Sequence, residues 1–236
     1  MDTRGVKFTW LGHGTFKITT PGGKTVLIDP WVQSNPACPD TLKKFAKIDT
    51  MLITHGHFDH IADALALARQ HRPQVVAIFE TALWLQSKGV ENVTDMNKGG
   101  TAKAGDLEVT MVAADHSCGI QDEGLVIYAG EACGYVIRFA NGFTLYHAGD
   151  TNVFGDMKII GELYQPELAC LPIGDHYTMS PREAAYALRL LGVKGVIPMH
   201  YATFPILTGT PERLRELTRD ISGLEIIALK PGETLG

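Results

Sequence analysis

The segment Thr54-His55-Gly56-His57-Phe58-Asp59-His60 constrains this chain more than any other, because it sets three histidines and a carboxylate within six positions. The apolar run Thr50-Met51-Leu52-Ile53 before it reads as a short buried strand. After it, Ile61, Ala64, Leu65 and Ala68 recur at helical spacing, which predicts a helix over 60–72. The ligand-type residues therefore occupy a strand-to-helix turn, where open α/β sheets form their sites. Period-2 alternation points His55 and His57 the same way, and Asp59 is placed to cap the helix while presenting an oxygen beside His60. Neutral imidazole and carboxylate are what zinc and its neighbours bind. A lone histidine near a turn says little, but a chance His-x-His-x-Asp-His match in a chain of this histidine content is on the order of one in a thousand.

The flanking pattern alternates strands and helices. Strands are predicted over 6–10, 16–20 and 25–29, joined by Thr20-Pro21-Gly22-Gly23-Lys24, followed by a short helix over 40–46. Val75 to Phe79 is a continuous apolar run of the buried-strand kind, 81–88 a helix ending at Gly89, and 107–114 a strand with His116 just beyond it. From Cys133 the first half is echoed: strands 135–139 and 143–147 around Asn141-Gly142, then Asp150. Strand 168–173 leads through Asp175 and His176 into a helix from Pro181 to 192. Strand 195–199, the loop 200–209, helix 211–220 and strand 224–229 close the chain. Two similar halves of this kind predict one domain, 1–236, in which two mixed sheets pack face to face with helices outside. The ligand-type residues all fall in loops after strands, so one edge of that sandwich is able to gather them.

A chain of 236 residues with 45% hydrophobic content suits one such domain. The formal charge of −5 argues against a general nucleic-acid binder, since phosphate-backbone affinity needs a basic surplus. No apolar run reaches a bilayer-spanning length and the first residues lead straight into a strand, so a cytoplasmic location is expected. Cys38, Cys118, Cys133 and Cys170 are irregularly spaced, without a Cys-x-x-Cys pair, and read as free thiols.

Several segments together resemble the metallo-β-lactamase superfamily. They are Trp10-Leu11-Gly12-His13, His55 to His60, Ala114-Asp115-His116-Ser117, His147-Ala148-Gly149-Asp150-Thr151, Gly174-Asp175-His176-Tyr177-Thr178-Met179 and Pro198-Met199-His200-Tyr201. Within it they resemble the small stand-alone metal-dependent hydrolases related to L-ascorbate-6-phosphate lactonases and, more remotely, N-acyl-phosphatidylethanolamine phospholipase D. The resemblance implies an αββα sandwich. It also implies two divalent ions: His55, His57 and His116 around one, Asp59, His60 and His200 around the other, and Asp150 between them. Zinc suits so imidazole-rich a set, while manganese, iron and nickel compete for similar ligands. A hydroxide bridging the ions would then attack an ester, phosphodiester or lactone in a small, anionic substrate. Asp59 and Asp150 enter the catalytic set with the metals, and His176 is expected to bind the substrate anion or protonate the leaving group without holding metal.

Around this core, Asp29 and Asp115 are candidates to orient ligating imidazoles, and His13 to line the site. His71 reads as a solvated helix-end histidine and His147 as a core one. Phe58, Tyr177, Tyr201 and Phe204 are candidates for an apolar rim. The alternatives are a metal-binding scaffold or sensor without turnover, and a nucleic-acid phosphodiesterase. Diiron flavoproteins of the superfamily carry a flavodoxin domain and an acidic residue at the position of His57, neither of which is present. A homo-oligomer is compatible with the sequence.

Overall fold

The computed structural model describes residues 1–236. The first part of the chain forms β1 (Lys7–Gly12), β2 (Thr15–Thr19), β3 (Thr25–Ile28), β4 (Thr50–Leu52), α1 (Phe58–Ile61), α2 (Ala64–His71), β5 (Gln74–Ile78), α3 (Phe79–Ser87) and β6 (Val93–Met96). Then come β7 (Thr101–Ala104), β8 (Leu107–Ala113), β9 (Gly119–Asp122), β10 (Leu125–Tyr128), β11 (Cys133–Arg138) and β12 (Thr144–His147). The rest comprises α4 (Met157–Tyr164), β13 (Leu168–Pro172), α5 (Pro181–Leu191), β14 (Gly195–Met199), α6 (Pro211–Leu217), β15 (Glu225–Ile226) and β16 (Thr234–Leu235).

Two seven-stranded mixed sheets result, in the orders β16-β1-β2-β3-β4-β5-β6 and β15-β14-β13-β12-β11-β8-β7. In each, one run of strands is parallel: β3 to β6 in the first and β12 to β15 in the second. Strands β4, β13 and β14 are buried at every residue, as expected where both faces of a sheet are covered. Phe8, Phe16, Ile28, Leu52, Val76, Tyr135, Leu145, Cys170 and Ile197 belong to the core between the sheets. A second apolar layer packs the first sheet against α2 and α3, and a third packs the other sheet against α4, α5 and α6. Fully burying a side chain of this size contributes about 1.5–3 kcal/mol, so these three layers are what hold the αββα sandwich together.

Helix α5 starts as its sequence dictates. Ser180 accepts from the Arg182 backbone, Glu183 closes a capping box, and Pro181 fills the first helical turn. The helix predicted over 60–72 is instead two pieces, because Asp63 turns its carboxylate back to accept from the backbone N–H groups of Val32 (2.6 Å) and Gln33 (2.9 Å). Only one 3₁₀ turn, Asp40–Leu42, forms where a helix over 40–46 was expected, and strand 224–229 contracts to Glu225–Ile226. No helix is long and apolar enough to cross a membrane.

Candidate metal centre

The C-terminal ends of the parallel strands of both sheets open onto one edge of the sandwich, and the histidine-rich loops leave from there. After β4 the chain stays extended as far as His57 (φ −69°, ψ 149°), and α1 begins at Phe58. His116 follows β8, Asp150 follows β12 and His200 follows β14. Cross-sheet hydrogen bonds fix the first loop at this edge: Cys133 N donates to Thr54 O (3.0 Å), and the Tyr135 hydroxyl donates to Ile53 O (2.7 Å). Close packing favours glycine at this edge, as at Gly14 and Gly149. A Cβ on Gly14 would lie 2.6 Å from His60 Cε1, and one on Gly149 would lie 2.7 Å from Cys133 O.

All seven ligand-type side chains converge. Ring nitrogens of His55, His57 and His116 lie within 4.8 Å of one another, and so do ligand atoms of Asp59, His60, His200 and, in addition, His13. Asp150 Oδ2 stands between the groups, 3.9 Å from His55 Nε2, 3.7 Å from His116 Nε2, 3.3 Å from His60 Nε2 and 3.0 Å from His200 Nε2. Asp150, His55, His60 and His200 are buried, whereas His57, Asp59 and His116 are half-buried and face the opening.

Neighbouring groups fix the direction in which the imidazoles point. Asp29 Oδ2 accepts from His60 Nδ1 (2.8 Å), which turns Nε2 inward. The Thr54 hydroxyl has one proton and donates it to Asp29 Oδ2 (2.7 Å), so at 3.0 Å it accepts from His55 Nδ1 and leaves His55 Nε2 its lone pair. His57 Nε2 lies 3.2 Å from Ser117 Oγ, which leaves Nδ1 facing His55. Asp115 behaves otherwise: its backbone N–H donates to Thr151 Oγ1 (2.9 Å) and its Oδ2 accepts from Asn152 Nδ2 (3.3 Å). It braces the His116 loop against the Asp150 turn and orients no imidazole. Asp59 does not cap a helix either. Its one side-chain hydrogen bond goes to His13 Nε2 at 2.8 Å.

The two groups of histidines differ in charge. Burial holds His57 and His116 below the usual histidine range, and burial together with His60 holds His55 well below it, so all three are neutral and able to ligate. Burial also opposes protonation of His60 and His200. There, however, the carboxylates prevail: Asp150 and Asp29 hold His60 well above the usual range, and Asp150 with Asp59 raises His200 to about 9. Conversely, burial would raise Asp150, but His200 and His60 hold it well below the carboxylate range. His13 is lowered to about 4, mainly by burial.

The donor set fits divalent ions. His60 Nε2, His200 Nε2 and Asp150 Oδ1 are buried without a hydrogen-bond partner. Buried polar atoms are seldom left so. Imidazole and carboxylate together are the chemistry that zinc and other first-row ions select.

His147 is buried in the core, packed edge-on against Phe16, with Nδ1 accepting from Gly149 N (3.2 Å). His71 is half-buried against Phe45 rather than fully solvated. His176 is exposed, in the loop that abuts both the His200 and Thr151 backbones, and its ring packs edge-on against Tyr177. Of the aromatic candidates, Phe58 and Tyr177 are exposed, and Phe204 stacks on Trp31 (5.9 Å) beside His13 (5.6 Å). Tyr201 instead stacks on Trp10 (5.2 Å) and belongs to the packing beneath. Thr54, Ser117 and Trp31 were not singled out from sequence, since a threonine, a serine and a tryptophan carry no ligand signal alone. A cavity of about 790 Å³ lies at the opposite end of the parallel strands, lined by Arg4, Arg138, Thr144 and Glu167.

The profile of a beta-lactamase superfamily domain matches residues 24–201. A UPF0173 metal-dependent hydrolase from Koribacter versatilis is 60% identical over 234 residues, 99% of each chain. Another from Rubrobacter xylanophilus is 56% identical over 98% of this chain and 97% of its own. The solved structure of Igni18, a metallo hydrolase from the archaeon Ignicoccus hospitalis, superposes with a TM-score of 0.87 at 36% identity, covering 98% of this chain and 97% of that one. Joined to the two facing mixed sheets and the histidine cluster at their edge, these likenesses show that the chain belongs to the metallo-β-lactamase superfamily and is a metal-dependent hydrolase.

Proposed function

We propose that this metal-dependent hydrolase is dinuclear and cleaves an ester, phosphodiester or lactone in a small anionic molecule. His55, His57 and His116 would hold one divalent ion, Asp59, His60 and His200 the second, and Asp150 both, with zinc the ion best suited to so many imidazoles. The observation that carries this reading is the position of Asp150 Oδ2, within 4 Å of imidazoles from both groups. When bound, two such ions supply a water whose pKa falls from 15.7 to about 7 and positive charge against the developing anion. The chain itself contributes fixed donors: Asp29 and Thr54 hold the His60 and His55 rings, and buried walls exclude bulk water from Asp150. Four buried free thiols suit a reducing, cytoplasmic setting.

His176 is proposed to act on the substrate itself, by binding its anion or protonating its leaving group. Asp175 (φ +68°) and His176 (φ +60°) are consecutive left-handed residues, a conformation that costs L-residues about 1–2 kcal/mol each. The loop is held in that shape on both sides. Gly174 presses against the His200 carbonyl, Asp175 N donates to Met179 O (3.0 Å), and Met179 N donates to Thr151 O (3.2 Å). Strain maintained at the rim of a cluster is a common mark of function. Exposed Phe58 and Tyr177 offer an apolar surface at the same opening.

Turnover of a panel of chromogenic phosphodiesters, carboxylic esters and lactones, by metal-loaded and metal-stripped protein, tests the reading. Hydrolysis of one class that disappears on stripping and returns with zinc is expected. A loaded protein inert toward the whole panel contradicts the proposed substrate class.

A further inference from the structure

We infer that His13 is a positioning residue for the second ion, holding the Asp59 carboxylate in place rather than ligating; this rests on the dinuclear reading. His13 lies in the β1–β2 loop with a left-handed backbone (φ +56°) and a fully buried side chain. Its own carbonyl is held from two directions, accepting from Trp10 Nε1 (2.8 Å) and from the backbone N–H of His200 (3.1 Å). The ring is enclosed as well: its centroid is 3.8 Å from that of His200, 5.2 Å from Trp31 and 5.6 Å from Phe204. Backbone and ring therefore leave Nε2 one direction, toward Asp59 Oδ2 at 2.8 Å.

Hydrogen-bond chemistry then assigns the proton. An ionised carboxylate only accepts, so the nitrogen facing it carries the hydrogen and has no lone pair for a cation. Nδ1, the nitrogen that keeps a lone pair, is buried without a partner. His13 thus stands in the same cluster of ligand atoms as Asp59, His60 and His200, yet its geometry is that of a donor to a ligand. It matches the Asp29–His60 pair with the roles reversed, an imidazole orienting a carboxylate. Asp59 has no other side-chain hydrogen bond, so His13 is the group that fixes its carboxylate by hydrogen bonding, with His200 Nε2 (3.7 Å) and His60 Nε2 (3.9 Å) farther off. The backbone bond from His200 N to the His13 carbonyl, in turn, ties the β1–β2 loop of one sheet to the His200 loop of the other.

The test is zinc titration of metal-stripped protein against a chromogenic chelator, for wild type, His13→Ala and His13→Gln, with the absorption spectrum of each cobalt-loaded form. Glutamine places an N–H where Nε2 stands. His13→Ala should weaken the second ion by roughly 10–100-fold, the usual effect of losing a group that orients a ligand, and leave the first unchanged. His13→Gln should recover most of that loss with a wild-type cobalt spectrum. Wild-type affinity for both ions in His13→Ala would overturn the inference. So would a His13→Gln protein as defective as His13→Ala with an altered cobalt spectrum, which would make His13 a ligand. Should the variants fail to fold, ¹⁵N spectra of the wild-type imidazoles decide: a protonated His13 Nε2 in the zinc-loaded protein supports the inference, and a metal-bound one refutes it. Fewer than two ions on wild type would count against the dinuclear reading instead, and the same spectra would still decide the proton on His13.

Discussion

His60 Nδ1 lies 2.8 Å from Asp29 Oδ2, and both side chains are fully buried. Asp29 also accepts from the Thr54 backbone (2.8 Å) and hydroxyl (2.7 Å), so one carboxylate sets the strand end and, through Thr54, two of the imidazoles. Removing it would leave buried donors unsatisfied. Asp29→Ala should destabilise the protein by about 3–5 kcal/mol, the range for breaking a buried pair from one side. It should also weaken metal binding by roughly 10–100-fold. Urea unfolding and chelator competition measure the two effects; a loss below about 1 kcal/mol with unchanged affinity would show that Asp29 is dispensable.

The charges in the cluster predict how the metal-stripped protein responds to pH. His200 is raised to about 9 by Asp150 and Asp59 against the effect of burial. A raised folded-state pKa means that its contribution to stability is complete below the free-histidine value near 6.5 and is lost as pH rises through about 9. His13 and His55 are lowered and act in the opposite sense, as do the lowered carboxylates Asp59 and Asp150, so acid also destabilises. Denaturant unfolding of stripped protein between pH 4 and 10 should therefore show a maximum near neutrality, and zinc loading should flatten its alkaline side. Stability that rises steadily from pH 7 to 9 in the stripped protein would contradict these assignments.

Proton release distinguishes the two groups of histidines. His55, His57 and His116 are held neutral, while His60 is held well above the usual range. At pH 7 an ion entering the first group should release few protons, and one entering the second should displace those on His60 and His200. Calorimetric zinc titration in buffers of different ionisation enthalpy resolves this. Equal release by both ions would mean that the charges are shared evenly.

His176→Ala should retain both ions and near-native stability, because its side chain is exposed, while turnover falls roughly 10²–10⁴-fold if proton transfer is its role. Unchanged turnover of an accepted substrate would remove it from the mechanism, and loss of one ion would make it a ligand.

Much of this architecture was legible because the site and the strands that deliver it share one signal: apolar runs ending in histidine or aspartate, as at Ile53-Thr54-His55 and Met199-His200. What escaped is decided by distant contacts. Helix α4 carries Gly161, which reads as a breaker, yet a side chain there would collide with the Leu191 backbone of α5, so packing selects the glycine. The break between α1 and α2 comes from Asp63 binding the backbone of Val32 and Gln33 some thirty residues away, which no local pattern announces. Strands β9 and β10 expose Leu125, Val126 and Tyr128, and their mixed pattern matched neither a buried run nor clean alternation. Asp59 resembled a helix cap because its spacing suited one, but His13, forty-six positions earlier, offered a buried donor at 2.8 Å.

The central claim is that Asp150 joins two ions, and the most direct measurement is the zinc content of the reconstituted wild-type chain beside that of Asp150→Ala. With Asp150 Oδ2 within 4 Å of His55, His60, His116 and His200, two equivalents are expected on the wild type. The variant should retain one at most and lose turnover. A wild type that saturates at one equivalent, or an Asp150→Ala chain that keeps two ions and full activity, would contradict the account.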